Sequence, residues 1–292
     1  LRQIYPHCLP MSNTTMSTPS KKSRRQKGRR TAKTADLHEL YELSVQDASN
    51  EADIIKQIWC EQRTGTCQSI REDFCGTAAV AMEWVKDHMD HTAVGVDWEQ
   101  SVLDWAQERI PDRLSEAQQS RLQLIQGDVR NTKTGAVDCL LAHNFSYYIF
   151  KERKQLIEYF KTTLHSLKEN GVLILDAYGG SDSFVEMEED RDLDGFTYTW
   201  DQSSYNPITG DVVNYIHFSF PDGTRIQKAF TYEWRLWTIP EIKEMLIEAG
   251  YQKVVVYWEG TDEETEEGNG EWEATEQGEA CEGWISYIVG VR

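Results

Sequence analysis

The stretch S-I-R-E-D-F-C-G-T-A-A-V-A, residues 69–81, decides how the rest of the chain is read. It has the pattern of a buried strand end, a tight turn at Gly76 and the first turn of a helix. The small residues Ala78, Ala79 and Ala81 let such a helix sit close on a sheet and let a ligand approach the backbone. The helix start would present unpaired N–H groups and the positive end of a dipole, which suits an anionic group. Turns of this kind also occur where nothing binds, so the downstream residues decide the meaning of this one.

Beyond the turn, short apolar segments alternate with helical patterns. Residues 92–97 (T-A-V-G-V-D) and 122–128 (L-Q-L-I-Q-G-D) each end in an acid. Residues 137–142 (V-D-C-L-L-A) lead into H-N-F-S-Y-Y-I-F, and residues 172–177 (V-L-I-L-D-A) stop at Tyr178-Gly179-Gly180. Strands alternating with helices predict an α/β fold, a doubly wound, mostly parallel sheet of seven strands. Residues 254–258 and 284–291 would close it as a terminal antiparallel hairpin. Two short amphipathic helices, the first carrying Tyr41, precede the first strand.

Residues 181–235 break this rhythm. After an acidic segment, alternation with turn signals at N-P-I-T-G-D and P-D-G-T predicts a small β insertion of three antiparallel strands. Thr238 is placed to cap a helix that ends at Gly250. Residues 259–283, rich in Glu and Gly, read as a mobile loop. The expected organisation is a disordered basic tail (residues 1–35), a main domain (36–180 and 236–292) and the insertion (181–235).

Charge narrows the function. The chain of 292 residues carries a net charge of −19, yet residues 1–35 hold nine Lys/Arg and no acid. The remainder holds 21 basic against 49 acidic residues, a balance of −28. So acidic a body repels a phosphate backbone and argues against a nucleic-acid substrate for the globular part. Residues 21–30 have the composition of a nuclear localisation signal or a nucleic-acid arm, with a plain solvated tail as the alternative. No segment has the run of apolar residues of a membrane span. Six cysteines without zinc spacing fit reduced thiols in a cytosolic or nuclear protein, and no metal site is expected.

Spacing then points to a nucleoside. Asp97 ends the second strand 21 residues after Gly76, where a carboxylate can take both hydroxyls of a ribose. Asp128 could accept from an adenine amino group, with Trp98 and Val129 as apolar neighbours of the base. The phosphate-cradling G-x-x-x-x-G-K-[ST] and the G-x-G-x-x-G of nicotinamide binding are both missing.

On these residues the chain resembles the class I S-adenosylmethionine-dependent methyltransferases. Their first motif, an acid followed by glycines at alternate positions, matches E-D-F-C-G-T-A from Glu72, with Phe74 and Ala78 where glycines are usual. V-G-V-D at Asp97 and G-D-V at Asp128 match the second and third. The resemblance spans about residues 65–180 and 236–292, and the insertion resembles the substrate-covering β insertion of small-molecule methyltransferases. It implies S-adenosylmethionine as cofactor, S-adenosylhomocysteine as product and methyl transfer to a small-molecule N, O or S acceptor.

The implied cofactor contacts are Arg71, Glu72, Gly76, Asp97, Trp98, Asp128, Val129 and His143. Arg71 could instead pair with Glu72 or Asp73. His143, Tyr147 and Tyr178, at the ends of the fourth and fifth strands, are candidate catalytic residues, with His143 as a base. Tyr41, Asn144, Tyr148 and Arg235 are candidate substrate contacts, through cation–π for the tyrosine and a carboxylate fork for the arginine. Tyr147, Tyr148 and Arg235 also read as packing or surface residues. The alternatives are a protein or RNA methyltransferase that docks through the basic tail, and a cofactor-binding regulator without turnover.

Overall fold

The computed structural model describes residues 30–261 and 268–292. Its elements run, in chain order, α1 (Leu37–Val45), α2 (Ala48–Gln62), β1 (Ser69–Asp73), α3 (Ala79–Asp87), β2 (Thr92–Asp97), α4 (Gln100–Arg113), α5 (Glu116–Gln119), β3 (Leu122–Gln126), β4 (Val137–Ala142), α6 (Arg153–Ser166) and β5 (Leu167–Gly179). The interrupting segment supplies β6 (Met187–Leu193), β7 (Phe196–Tyr205), β8 (Asp211–Ser219) and β9 (Arg225–Arg235). The chain closes with α7 (Ile239–Ala249), β10 (Lys253–Thr261), β11 (Gly268–Thr275) and β12 (Trp284–Val291).

Burial explains why the apolar segments became strands. All six residues of β4 are buried, as expected of a central strand covered by helices on both faces. The large sheet has the order β11-β10-β12-β5-β4-β1-β2-β3. Strands β5 to β3 in that order run parallel, and β12, β10 and β11 are antiparallel. The chain reverses its direction of travel across the sheet between β1 and β4, which makes their carboxyl ends the place for a ligand. The cap at Thr238 forms as expected, reciprocally with Glu241, and Gly250 ends α7 with φ 112°.

The seven expected strands are present, and an eighth joins them. Residues 268–275, expected in a mobile loop, form β11 on the free edge of β10; residues 262–267 lie outside the described residues. The second sheet has four strands in the order β6-β7-β8-β9, one more than expected, because the acidic segment is itself an edge strand. Part of the tail departs from its expected disorder as well. Residues 32–34 form a turn, the Ala32 N–H donates to Thr224, and Arg30 pairs with Glu39. Residues 1–29, with most of the basic run, lie outside the described residues.

Candidate active site

Strand β1 buries three consecutive charges. Side chains alternate across a strand, so Arg71 and Asp73 share one face and Glu72 takes the other. Arg71 is fully buried: its Nε donates to Asp73 Oδ1 at 2.7 Å, and its Nη2 and Nη1 donate to the carbonyls of Val129 and Thr132. Asp73 also accepts from the Tyr159 hydroxyl at 3.0 Å. Of the roles open to Arg71, pairing with Asp73 is the one found. It pins the loop after β3.

The turn after β1 takes positive φ at alternate residues: Phe74 (59°), Gly76 (50°) and Ala78 (58°). These are the three positions where the resembled motif carries glycines. The backbone path is therefore kept although two glycines are not, at about 1–2 kcal/mol of left-handed strain for each side chain. Gly76 is the open point, since a Cβ there would meet nothing within 4 Å. Its N–H donates to Asp97 Oδ2 at 2.8 Å, and the Glu99 N–H donates to Asp97 Oδ1 at 2.9 Å. Each carboxylate oxygen keeps a free lone pair, enough for two adjacent hydroxyls. Burial raises the Asp97 carboxyl above its ordinary range.

Glu72 is buried and accepts from the Ala81 N–H of α3 at 2.9 Å. Burial first, and then the charge of Glu51, push its carboxyl up to about 8. The Asp128 carboxylate forks with Arg130, at 2.6 Å to Nη2, and this bond holds it below the usual carboxylate range. Trp98, next to Asp97 in the chain, is 68% exposed. Val129 is buried behind it in sequence and lends its carbonyl to Arg71.

A cavity of about 120 Å³ lies where α1, α2, the ends of β4 and β5, and the second sheet meet. Tyr41 and Asn144, expected as substrate contacts, and His143, expected as a catalytic and cofactor residue, line it. His143 Nδ1 lies 2.6 Å from Glu51 Oε2 of α2, while its Nε2 is buried without a partner. A carboxylate only accepts, so Glu51 assigns the proton to Nδ1 and leaves the Nε2 lone pair free when the ring is neutral. Burial lowers the basicity of the imidazole, but the Glu51 contact outweighs it, and the net shift is upward.

The loop after β4 is strained and clamped. Asn144 and Phe145 both have positive φ, 57° and 56°, and their N–H groups donate to Asp176 of β5 at 2.6 and 2.8 Å. Burial pushes Asp176 up to about 6.

Tyr147, Tyr148 and Tyr178 do not line the cavity. The hydroxyls of Tyr147 and Tyr148 donate to the carbonyls of Asp176 and Trp237, and Tyr178 stacks on Tyr148 with ring centroids 5.7 Å apart. Their expected roles give way to packing, because the strand end turns them inward behind Phe145. Arg235 is also elsewhere: it pairs with Glu241, donates to the Lys151 carbonyl and lies over the Trp237 ring. The period of two along β9 puts Tyr232 and Trp234 on the cavity face and Arg235 on the other.

The residues that line the cavity unannounced are Asp47, Glu51, Asp176, Arg191 and an aromatic wall from Tyr198, Trp200, Tyr232, Trp234, Trp272 and Tyr287. Aromatics two apart in F-T-Y-T-W and T-Y-E-W were a legible signal for one face of a sheet. Nothing local marked Glu51, which meets His143 across 92 residues of chain.

Residues 73–175 match the model of a family described as "Methyltransferase domain". A Bacillus subtilis (strain 168) protein named "Putative methyltransferase YqeM" is 24% identical over 217 residues, covering 70% of this chain and 82% of that one. The crystal structure of a S-adenosylmethionine-dependent methyltransferase from Clostridium acetobutylicum ATCC 824 aligns over 86% of this chain and 96% of its own, with 19% identity and a TM-score of 0.63. CalS10, a S-adenosylmethionine-bound amino pentose methyltransferase from Micromonospora echinaspora, aligns over 88% and 97%, with 14% identity and a TM-score of 0.62. Residues 73–175 are thus matched as a methyltransferase domain, and the fold is that of the solved S-adenosylmethionine-dependent methyltransferases, to which the strand order and strand-end motifs are similar. Among the described residues no helix is long and apolar enough to cross a membrane, and no cluster of His, Cys, Asp and Glu could hold a metal.

Proposed function

We propose that the chain methylates the amine nitrogen of a small molecule, with His143 as the base. The observation that carries this reading is the cavity wall, in which the buried, unpartnered Nε2 of His143 stands among three carboxylates and a screen of Trp and Tyr rings. Carboxylates and aromatic faces attract an ammonium group, and the rings do so without neutralising it. CalS10 and its amino pentose supply a parallel case on the same fold. The cavity volume is close to that of an engineered cavity of about 150 Å³ that holds one benzene, which favours a small acceptor over a polymer.

The residues present fit S-adenosylmethionine. The open face of Gly76 would admit the amino acid end, Asp97 the ribose, and Trp98 and Asp128 the adenine. Bound there, the cofactor supplies an activated sulfonium methyl. The chain's own part is to orient the amine, exclude water and take one proton. His143 Nε2 accepts that proton from the incoming ammonium, and Glu51 stabilises the imidazolium. The second sheet acts as the cover of the acceptor site, and S-adenosylhomocysteine leaves as product.

The test is transfer of labelled methyl to a panel of small amines and to their hydroxyl and thiol analogues. Amines should be accepted, with a drop of about 10²–10⁴-fold in His143→Gln. Acceptance of hydroxyls or thiols alone would overturn the reading.

A further inference from the structure

Strand β6 alternates half-buried and exposed residues from Met187 to Leu193, so Arg191 faces inward while Asp190 and Asp192 face out. Those two acids are engaged outside the cavity, accepting from Thr199 and Thr197. Arg191 is the only Lys or Arg among the described residues that line the cavity. One of its terminal nitrogens donates to the Ser44 carbonyl, and its guanidinium lies 5.1 Å from the centre of the Tyr198 ring. Its Nε is buried without a partner. Asp47, Glu51 and Asp176 share the cavity, yet among the described residues Arg191 has no carboxylate at ion-pair distance. A strut to Ser44 would use one donor and leave the other edge of the fork idle. That edge has the planar, two-donor shape that recognises a carboxylate.

We propose that the methyl acceptor is an amino acid in the broad sense, a molecule whose amine meets Glu51 and His143 while its carboxylate is held by Arg191. This rests on the amine reading above and adds the second half of the substrate. The cavity lining then carries both charges: Arg191 from the second sheet, and the acids at the start of α2 and on β5. A carboxylate suits this wall better than a phosphate, because a dianion beside three carboxylates meets more repulsion for the same fork. Arg191 sets specificity and takes no part in proton transfer.

The test uses the full chain, labelled methyl donor and matched probes: amino carboxylates of two to six carbons, the corresponding carboxamides, and the amines without either group. Wild type should show a KM for the best acid ten- to a hundred-fold below that of its amide. Arg191→Gln should erase that preference, leaving the amide's KM within about threefold and kcat little changed. Equal KM values for acid and amide in wild type would overturn the proposal while the amine reading stands. So would a variant that weakens both equally, the mark of a strut. Should Arg191→Gln fail to fold, the acid–amide comparison in wild type decides. If no amine is methylated, the amine reading falls and this one with it.

Discussion

Replacing Glu72 by glutamine should stabilise the protein, and increasingly so as pH rises above about 4.5. Glu72 is buried, its one described hydrogen bond comes from the Ala81 N–H, and its carboxyl is pushed from an ordinary 4.5 up to about 8. The folded state therefore holds a proton that the unfolded state releases. Stability is full below the unfolded value and declines as pH rises from about 4.5 through 8. At about 1.4 kcal/mol per pH unit the gap corresponds to at most about 5 kcal/mol. The glutamine side-chain oxygen can still accept from Ala81, so the variant keeps the bond and loses the titration. Asp73 and Asp176, both pushed up to about 6, act in the same direction but finish earlier, and His143 titrates in both proteins. The readout is the difference between urea-unfolding free energies of the two proteins at intervals from pH 5 to 9. It should start near zero and grow to several kcal/mol in favour of the variant. A difference that stays constant across this range would refute the reasoning.

Arg71→Met strands Asp73 in the interior and orphans two carbonyls, so chemical denaturation should show a loss of about 3–5 kcal/mol, with cofactor affinity of the folded protein changed only a few-fold. A tens-fold affinity loss at unchanged stability would place Arg71 on the cofactor instead. The pH profile of kcat/KM should have an acid limb set by His143, rising as the raised imidazole loses its proton. In Glu51→Gln the partner charge is gone while burial remains, so the limb should move to lower pH as kcat falls.

Much of the fold was legible because it rests on local patterns. The strand-end acids Asp97 and Asp128 and the turn at Gly76 follow from short apolar runs with a fixed period. Elements made of charged residues were harder to see. In β6 both faces of M-E-E-D-R-D-L are polar, so alternation carried no apolar signal, and β11 exists because β10 offers it an edge. The site divides along the same line. His143, Asn144 and Tyr41 were found through strand ends and helix faces. Arg71 was undecidable, since residues two apart on a strand can pair or reach outward with equal ease. Glu51 and Arg191 enter the cavity only through tertiary contacts from α2 and β6. The glycine-poor turn shows a further limit: Phe74 and Ala78 adopt the left-handed backbone that composition argued against, held by the bonds from Cys75 to Val96 and from Ala78 to Cys75.

The central claim is that Asp97 and the open turn at Gly76 hold S-adenosylmethionine. Calorimetric titration of wild type and Asp97→Ala with S-adenosylmethionine and S-adenosylhomocysteine tests it most directly. Wild type should bind both, and loss of two charge-assisted hydrogen bonds should weaken binding by about 3 kcal/mol, on the order of a hundredfold. Absence of binding by wild type, or undiminished binding by a folded variant, would contradict the account.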